Sequence, residues 1–204
     1  MQRSTPDQPS LSICKETVSL TLNDIEQLFA RRGDEQYSGE SVTQLEHALQ
    51  AAHLAEQAGA SDALVTAALL HDLGHLLHDL GDTPSERGVD DLHQFRALPF
   101  LRNLFGDDVI GAIKGHVDAK RYLCATRPAY FASLSEDSKR SLKLQGGVFN
   151  PAQADHFMAQ SGSANAIQVR LWDDLAKVRG LVTPPLAHFL ARAQACTLAA
   201  LVPA

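Results

Sequence analysis

Ionisable side chains stand inside a run of leucines at residues 68–81, ALLHDLGHLLHDLG. If this run forms a buried helix, residues three and four apart share a face, so His71, Asp72 and His75 converge. An ionised carboxylate buried without a partner costs on the order of several kcal/mol even after the protein relaxes. A metal ion satisfies the carboxylate and the imidazoles together. The segment therefore predicts a metal site, although an isolated His-Asp pair more often belongs to a proton-sharing structural cluster.

The pair is not isolated, because further candidate ligands precede and follow it. His47 lies in LEHALQAAHLA, whose apolar residues are spread nearly all round a helix, which predicts a central helix with His47 at least partly buried. Later in the chain come His93 in DDLHQF, His116 in KGHVDAKRY and Asp173 in VRLWDDLAK, with Asp174 as an alternative. Imidazole and carboxylate ligands suit iron, manganese or zinc rather than calcium or magnesium.

The elements that would position these residues are all predicted to be helices. Thr21 can cap a helix that ends at Gly33, and Ser41 with Gln44 forms a capping-box pattern ahead of a helix to about Ala58. Similar signals predict helices over residues 62–80 with a stop at 81, from 107 or 108 through 116, from 135 to 146, and over 164–178. Two more helices are predicted to begin at residues 151 and 184. No run alternates apolar and polar residues for long enough to suggest a sheet. We therefore expect an all-α helical bundle.

Composition narrows the class of protein. The 204 residues point to one domain, residues 1–204, with residues 1–18 expected to be a frayed N-terminal segment. Lys and Arg total 18 against 24 Asp and Glu, so nothing global favours nucleic acid or an anionic membrane surface. The three cysteines lie far apart without a CxxC pair, which fits the cytoplasm. No stretch approaches about 18 uninterrupted apolar residues, and the polar start MQRSTPDQPS lacks the pattern of a signal peptide.

The order His, His-Asp, His, His and Asp resembles the HD-domain superfamily, in which the two additional histidines mark members that hold two metals. The resemblance sharpens over residues 37–177. YSGESVTQLEHALQ, LLHDLGH, HVDAKRYL, a serine-containing helix ending in LQGG, and RLWDD are similar to the mixed-valent di-iron oxygenases of the PhnZ and TmpB type. Those enzymes cleave the carbon–phosphorus bond of hydroxylated aminoethylphosphonates.

This resemblance implies a set of metal ligands. One iron would be held by His47, His71, Asp72 and Asp173, and Asp72 would bridge to a second iron held by His93 and His116. The cofactors would be two iron ions in the Fe(II)/Fe(III) state, with O2 as co-substrate. Many HD proteins carry His-Glu and a nearby glycine where this chain has HQFRALPFL. The sequence therefore leaves open which residue orients the ring of His93.

The resemblance also implies residues that act on the substrate. Tyr37 and Glu40 match a mobile lid in which the tyrosine caps the second iron until substrate displaces it. His75 and Lys120 match a phosphonate-binding pair, which Ser141 and Gln145 would complete, with Ser138 as an alternative to Ser141. The remaining histidines match no position of the family, and ordinary surface or half-buried roles are expected for His53, His78, His156 and His188.

The function implied is an oxygenase that converts a 1-hydroxy-2-aminoethylphosphonate to phosphate and glycine, or its trimethylammonium form to glycine betaine. The sequence leaves open which amine the substrate carries. The alternative is a metal-dependent phosphohydrolase acting on a nucleotide or phosphate ester, in which the metals activate water. An inert binding module would be expected to have lost ligands, and none is missing. The implied partner is a small phosphonate, with no nucleic acid, membrane or obligate protein partner.

Overall fold

The computed structural model describes residues 19–37, 39–81 and 83–201. Within these ranges there is no β-strand, and every regular element is a helix. The predicted all-α fold is therefore confirmed, whereas the expectation for residues 1–18 lies outside the described residues. Among the described helices, none combines the length and the hydropathy that a membrane crossing requires.

The helices follow one another along the chain with short connections. In order they are α1 (Leu22–Arg32), α2 (Gln44–Gln57), α3 (Asp62–Leu70), α4 (His93–Arg96), α5 (Leu98–Leu101), α6 (Asp107–Thr126), α7 (Tyr130–Ser133), α8 (Glu136–Leu144), α9 (Pro151–Met158), α10 (Ser163–Leu175), α11 (Leu186–Ala195) and α12 (Leu198–Leu201). Two 3₁₀ helices, Leu73–Leu77 and Pro84–Arg87, lie between α3 and α4.

Four helices, α2, α3, α6 and α10, form the centre of the fold. The most extensive packing joins α6 to α10 and α2 to α3, and α11 covers α3 from outside. One hydrophobic cluster runs through them, with fully buried side chains such as Leu69, Ile113 and Phe189. Candidate ligands occur on α2, directly after α3, on α6 and on α10, so the helices that build the core also position the site.

Several predicted helix boundaries are confirmed by cap geometry. Thr21 and Asp24 form a capping box at the start of α1, and the chain leaves that helix at Gly33. Ser135 caps α8, and Asn150 caps α9 ahead of a proline in the first turn. Side-chain oxygens at these positions accept N–H groups that the first helical turn leaves unpaired.

Two predicted starts are wrong by two residues. The capping box of α2 is formed by Thr43 and Glu46 rather than by Ser41 and Gln44. Helix α11 begins at Leu186, with Pro185 at its N-cap, so the Thr183-Pro184 pattern does not open it. At α2 the neighbouring residues offer similar cap chemistry, whereas the N-cap of α11 makes no side-chain hydrogen bond, so local cap signals do not fix the start of that helix.

The helix predicted over residues 62–80 is wrong in its second half. Helix α3 ends at Leu70, Asp72 adopts φ −105° and ψ 11°, and the chain continues as the 3₁₀ helix Leu73–Leu77. His71 and His75 therefore do not stand on successive turns of one α-helix. The physical reason lies at Gly74, where an added Cβ would be 2.0 Å from the carbonyl oxygen of His93. The tighter 3₁₀ turn lets two backbones approach closely beside the site.

The helix predicted over residues 164–178 also ends early, at Leu175. Beyond it, the carbonyl of Ala176 lies 2.8 Å from Nδ1 of His47, and Val178 exchanges two hydrogen bonds with the side chain of Gln50. The chain leaves the helix here because its backbone groups are needed by side chains of α2.

Candidate metal centre and substrate pocket

Four buried imidazoles direct their Nε2 atoms into one space in the centre of the bundle. The Nδ1 atom of each ring has an oxygen acceptor at hydrogen-bond distance: Ala176 O at 2.8 Å for His47, Ala68 O at 2.8 Å for His71, Asp91 Oδ1 at 2.8 Å for His93, and Ile113 O at 2.7 Å for His116. Because a carbonyl or a carboxylate can only accept, each Nδ1 carries the hydrogen. A neutral ring then presents an Nε2 lone pair, which is the form that binds a metal ion.

The four rings are arranged as two close pairs. The Nε2 atoms of His47 and His71 are 3.2 Å apart, and those of His93 and His116 are 3.1 Å apart. Two lone pairs at this separation repel each other, so each pair needs a proton or a metal ion between its members. Burial lowers the pKa of His116 to about 4, so this ring does not carry an additional proton. A metal ion between the two rings would satisfy both Nε2 lone pairs.

Asp72 lies between the two pairs and is buried. Its Oδ2 is 3.6 Å and 3.5 Å from Nε2 of His47 and His71, and its Oδ1 is 3.5 Å and 3.4 Å from Nε2 of His93 and His116. Oδ1 has no hydrogen-bond partner although it is buried. A buried acceptor without a partner is costly, and a bridging position between two metal ions would satisfy both oxygens.

Asp173 completes the first set of ligands. Its Oδ1 is 3.5 Å from Nε2 of His47, and Arg170 donates to its Oδ2 at 2.6 Å. Asp174, the alternative at this position, is instead held by Arg170 and by the hydroxyl of Tyr130. Asp173 thus lies in the cluster and Asp174 lies outside it.

The ionisation states fit a cationic occupant. Burial opposes the charge of Asp72, but the neighbouring imidazoles, His71 first, hold its pKa well below the usual range. Burial also opposes a charge on His71, yet Asp72 and Asp173 raise its pKa to about 9. In the metal-free protein, a proton on His71 would thus be the cation that faces Asp72 and Asp173, and metal binding would displace this proton.

Tyr37 lies against the first set in this structure, and its expected role as a cap on the second iron stays a prediction. Its hydroxyl donates to Asp72 Oδ2 at 2.8 Å and is 3.5 Å from Asp173 Oδ1. Its ring stacks on His47 with the ring centres 3.8 Å apart. The hydroxyl therefore closes the side of the site that His47, Asp72 and Asp173 line.

Glu40, the other residue expected in the lid, does not reach the cluster. Its carboxylate accepts from Lys177 Nζ at 3.1 Å, while its backbone N–H donates to the carbonyl of Tyr37 at 2.7 Å. Lys177 follows directly after Ala176, whose carbonyl holds His47. The ion pair thus ties the loop that carries Tyr37 to the end of α10.

The expected phosphonate-binding residues lie at one small cavity of about 50 Å³. Buried Lys120 donates to Ser141 Oγ at 3.0 Å, and the Oε1 atom of Gln145 is buried without a partner. His75 lines the same cavity, and so does Ser138, so the choice between Ser138 and Ser141 stays open. Burial and the guanidinium of Arg170 lower the pKa of Lys120 to about 7.

Two functional residues were missed by the sequence reasoning. Asp91 contacts Nδ1 of His75 at 2.6 Å and Nδ1 of His93 at 2.8 Å, so the carboxylate that orients His93 precedes it instead of following it. The Asp-x-His spacing in DDLHQF was the available signal. Arg170 stands three residues before Asp173, at the spacing of a helical ion pair.

The histidines without an expected role stay outside the two sets. His53, His78 and the exposed His156 and His188 have other surroundings, and His188 contacts Glu56 at 2.8 Å. His78 is half-buried, with Nε2 3.3 Å from Asp91 Oδ2. It therefore belongs to the surroundings of Asp91.

Comparison with known proteins agrees with this geometry. The family described as HD domain matches residues 45–176. The chain is 41% identical over 162 residues to a glycine-betaine-forming [1-hydroxy-2-(trimethylamino)ethyl]phosphonate dioxygenase of Leisingera caerulea, covering 79% of this chain and 83% of that protein. It is 44% identical over 158 residues to a hydroxymethylphosphonate dioxygenase of Gimesia maris, covering 77% and 79%. The chain therefore belongs to the HD-domain family, and its resemblance to the PhnZ and TmpB type is confirmed.

Proposed function

We propose that the protein is a di-iron dioxygenase that uses O2 to cleave the carbon–phosphorus bond of a 1-hydroxyalkylphosphonate. The observation that carries this proposal is Asp72, whose two oxygens face two histidine pairs beside a cavity lined by Lys120. The iron ligands would be His47, His71, Asp72 and Asp173 in one set and Asp72, His93 and His116 in the other. Mixed-valent iron is part of the proposal.

The two named relatives indicate the substrate class. Hydroxymethylphosphonate and [1-hydroxy-2-(trimethylamino)ethyl]phosphonate share a phosphonate and a hydroxyl on the same carbon, and they differ in what else that carbon carries. Breaking the carbon–phosphorus bond with both atoms of O2 gives phosphate and a carboxylate. The carboxylate would be formate, glycine or glycine betaine, depending on the substituent.

Residues of this chain would bind and orient the substrate. Bound iron would supply the reduction of O2 and a Lewis acid for the substrate's oxygens. Lys120 and His75 would neutralise the phosphonate, since burial opposes a charge on His75 but Asp72 and Asp91 raise its pKa. Holding the phosphonate fixes the direction of the C1–H bond, and this orientation is the main contribution of the protein to such a reaction. Tyr37 would keep the first set closed until substrate is present.

We further propose that the chain forms a single domain and acts in the cytoplasm on a small-molecule substrate. The single domain is supported by one hydrophobic cluster that joins residues of α1, α2, α3, α5, α6, α10 and α11. The cytoplasmic location is supported by three cysteines without a pairing pattern.

The test is phosphate release from protein produced with iron. We would incubate it with hydroxymethylphosphonate, 2-amino-1-hydroxyethylphosphonate and the trimethylammonium analogue, each with and without O2. His116→Ala should abolish release, and the matched control His156→Ala, at an exposed position on α9, should not. Release that needs O2 supports the proposal. Hydrolysis of a phosphate ester without O2, with no release from any phosphonate, would assign the site to a phosphohydrolase.

A further inference from the structure

Asp91 is a buried carboxylate outside both sets of candidate ligands, with 5% of its surface exposed. Its Oδ2 accepts from Nδ1 of His75 at 2.6 Å, and its Oδ1 accepts from Nδ1 of His93 at 2.8 Å. One carboxylate thus contacts a residue proposed to bind substrate and a residue proposed to bind metal.

The two imidazoles are held side by side. The rings of His75 and His93 stack with their centres 4.2 Å apart and their planes 26° apart. Their Nε2 atoms both point toward Asp72, at 3.7 Å from Oδ2 and 3.5 Å from Oδ1. Because the two rings share an acceptor and a stacking contact, neither ring can turn without disturbing the other.

The backbone is bent to bring Asp91 onto His93. Leu92, between them, has φ 53°, a left-handed conformation that leucine rarely adopts. Its side chain is 45% exposed, so packing of that side chain does not explain the conformation. The turn allows Asp91 Oδ1 to accept from the backbone N–H of His93 at 3.3 Å as well as from its ring. Strain of this kind is typical of functional sites.

We propose that Asp91 is a positioning residue that couples phosphonate binding at His75 to the orientation of His93 in the metal centre. This inference rests on the proposed function. A phosphonate that fixes the ring of His75 also fixes Asp91, and through it the ring of His93. His78, whose Nε2 is 3.3 Å from Asp91 Oδ2, is a third group that orients this carboxylate.

The test is Asp91→Asn, alone and combined with His75→Gln. Asparagine keeps the shape but only one acceptor oxygen, so it cannot serve both ring N–H groups. We expect KM for the active phosphonate to rise about tenfold and metal affinity to fall about tenfold, as is usual when such a partner is lost. In the His75→Gln background, the further rise in KM should shrink to about twofold or less, while the loss of metal affinity should persist. Asp155→Asn, an exposed carboxylate on α9, is the control.

Several outcomes would overturn the inference. Equal rises in KM with and without His75→Gln would show that Asp91 does not act through His75. Normal KM and metal affinity with a lower melting temperature would leave Asp91 a purely structural role. If Asp91→Asn does not fold, Asp91→Glu, which keeps the charge but displaces its oxygens, should move both quantities in the same directions. A wild-type protein that releases no phosphate from any phosphonate would instead overturn the proposed function, and metal affinity would then still test the link to His93.

Discussion

Replacing Gly74 by alanine should selectively damage the second half of the metal centre. Gly74 lies in the 3₁₀ helix Leu73–Leu77, where an added Cβ would be 2.0 Å from the carbonyl oxygen of His93. Ordinary van der Waals contact begins at 3.4 Å, so the two backbones must separate by about 3.4 − 2.0 = 1.4 Å. The φ angle of Gly74 is not in the left-handed region, so alanine is not strained by its own backbone.

The displacement is large in comparison with what metal coordination tolerates. Ligand distances in metal sites hold within about 0.2 Å, so a backbone shift of this size would remove His93 from the coordination sphere. Overpacking of this kind costs about 1–3 kcal/mol of unfolding free energy. We expect the variant to retain the metal of the set that contains His47 and His71 and to lose the metal shared by His93 and His116.

Metal content per chain and urea unfolding would test this prediction. The matched control is Gly111→Ala, because Gly111 lies inside α6 with nothing within 4 Å of its added Cβ. That substitution should stabilise the protein by about 0.5–1 kcal/mol and leave metal content unchanged. If Gly74→Ala binds as much metal as Gly111→Ala, the reasoning from backbone contact is wrong.

Three further predictions concern single residues and the metal itself. Lys120→Met should raise KM about tenfold or more without loss of metal, because a charge-assisted bond to the phosphonate is lost. In the wild type KM should also rise as pH increases above about 7. Burial and Arg170 lower the pKa of Lys120 to about 7, and only the protonated amine attracts the phosphonate. Steady-state kinetics on both proteins across pH should show this rise only in the wild type. Leu92→Gly should be more stable than Leu92→Val by about 1–2 kcal/mol in urea unfolding, because a φ of 53° is least tolerated by a β-branched residue. Equal stabilities of the two variants would contradict the proposed backbone strain at this position. Chelation should lower the melting temperature and iron should restore it, because the facing Nε2 atoms of His93 and His116 are left without a cation; an unchanged melting curve would count against a metal between them.

Much of the site was predictable because its chemistry depends on residue types that are costly to bury. Histidines and carboxylates within leucine-rich segments need a common partner, and this requirement pointed to His47 and the His-Asp pair. Asp173 was implied by the family resemblance, which left Asp174 as an alternative. The all-α fold was equally accessible, since Thr21, Ser135 and Asn150 are ordinary cap residues followed by helical periodicity.

The remainder depended on contacts between distant segments. The end of α3 at Leu70 follows from the approach of the His93 backbone to Gly74, which periodicity within residues 62–80 does not contain. The role of Asp91 required two rings, from separate segments, to meet at one carboxylate. The position of Tyr37 over the first set depended likewise on how the loop before α2 folds back.

The most direct test of the central claim is the fate of oxygen from isotopically labelled O2. The iron-loaded protein would be supplied with its active 1-hydroxyphosphonate under oxygen-18 gas in ordinary water, and the carboxylate product would be analysed by mass spectrometry. An oxygenase that breaks the carbon–phosphorus bond at C1 predicts one labelled oxygen in the carboxylate. A carboxylate without label would contradict oxygen transfer to C1. Phosphate that is released in the absence of O2, without formation of a carboxylate, would contradict the assignment and indicate hydrolysis instead.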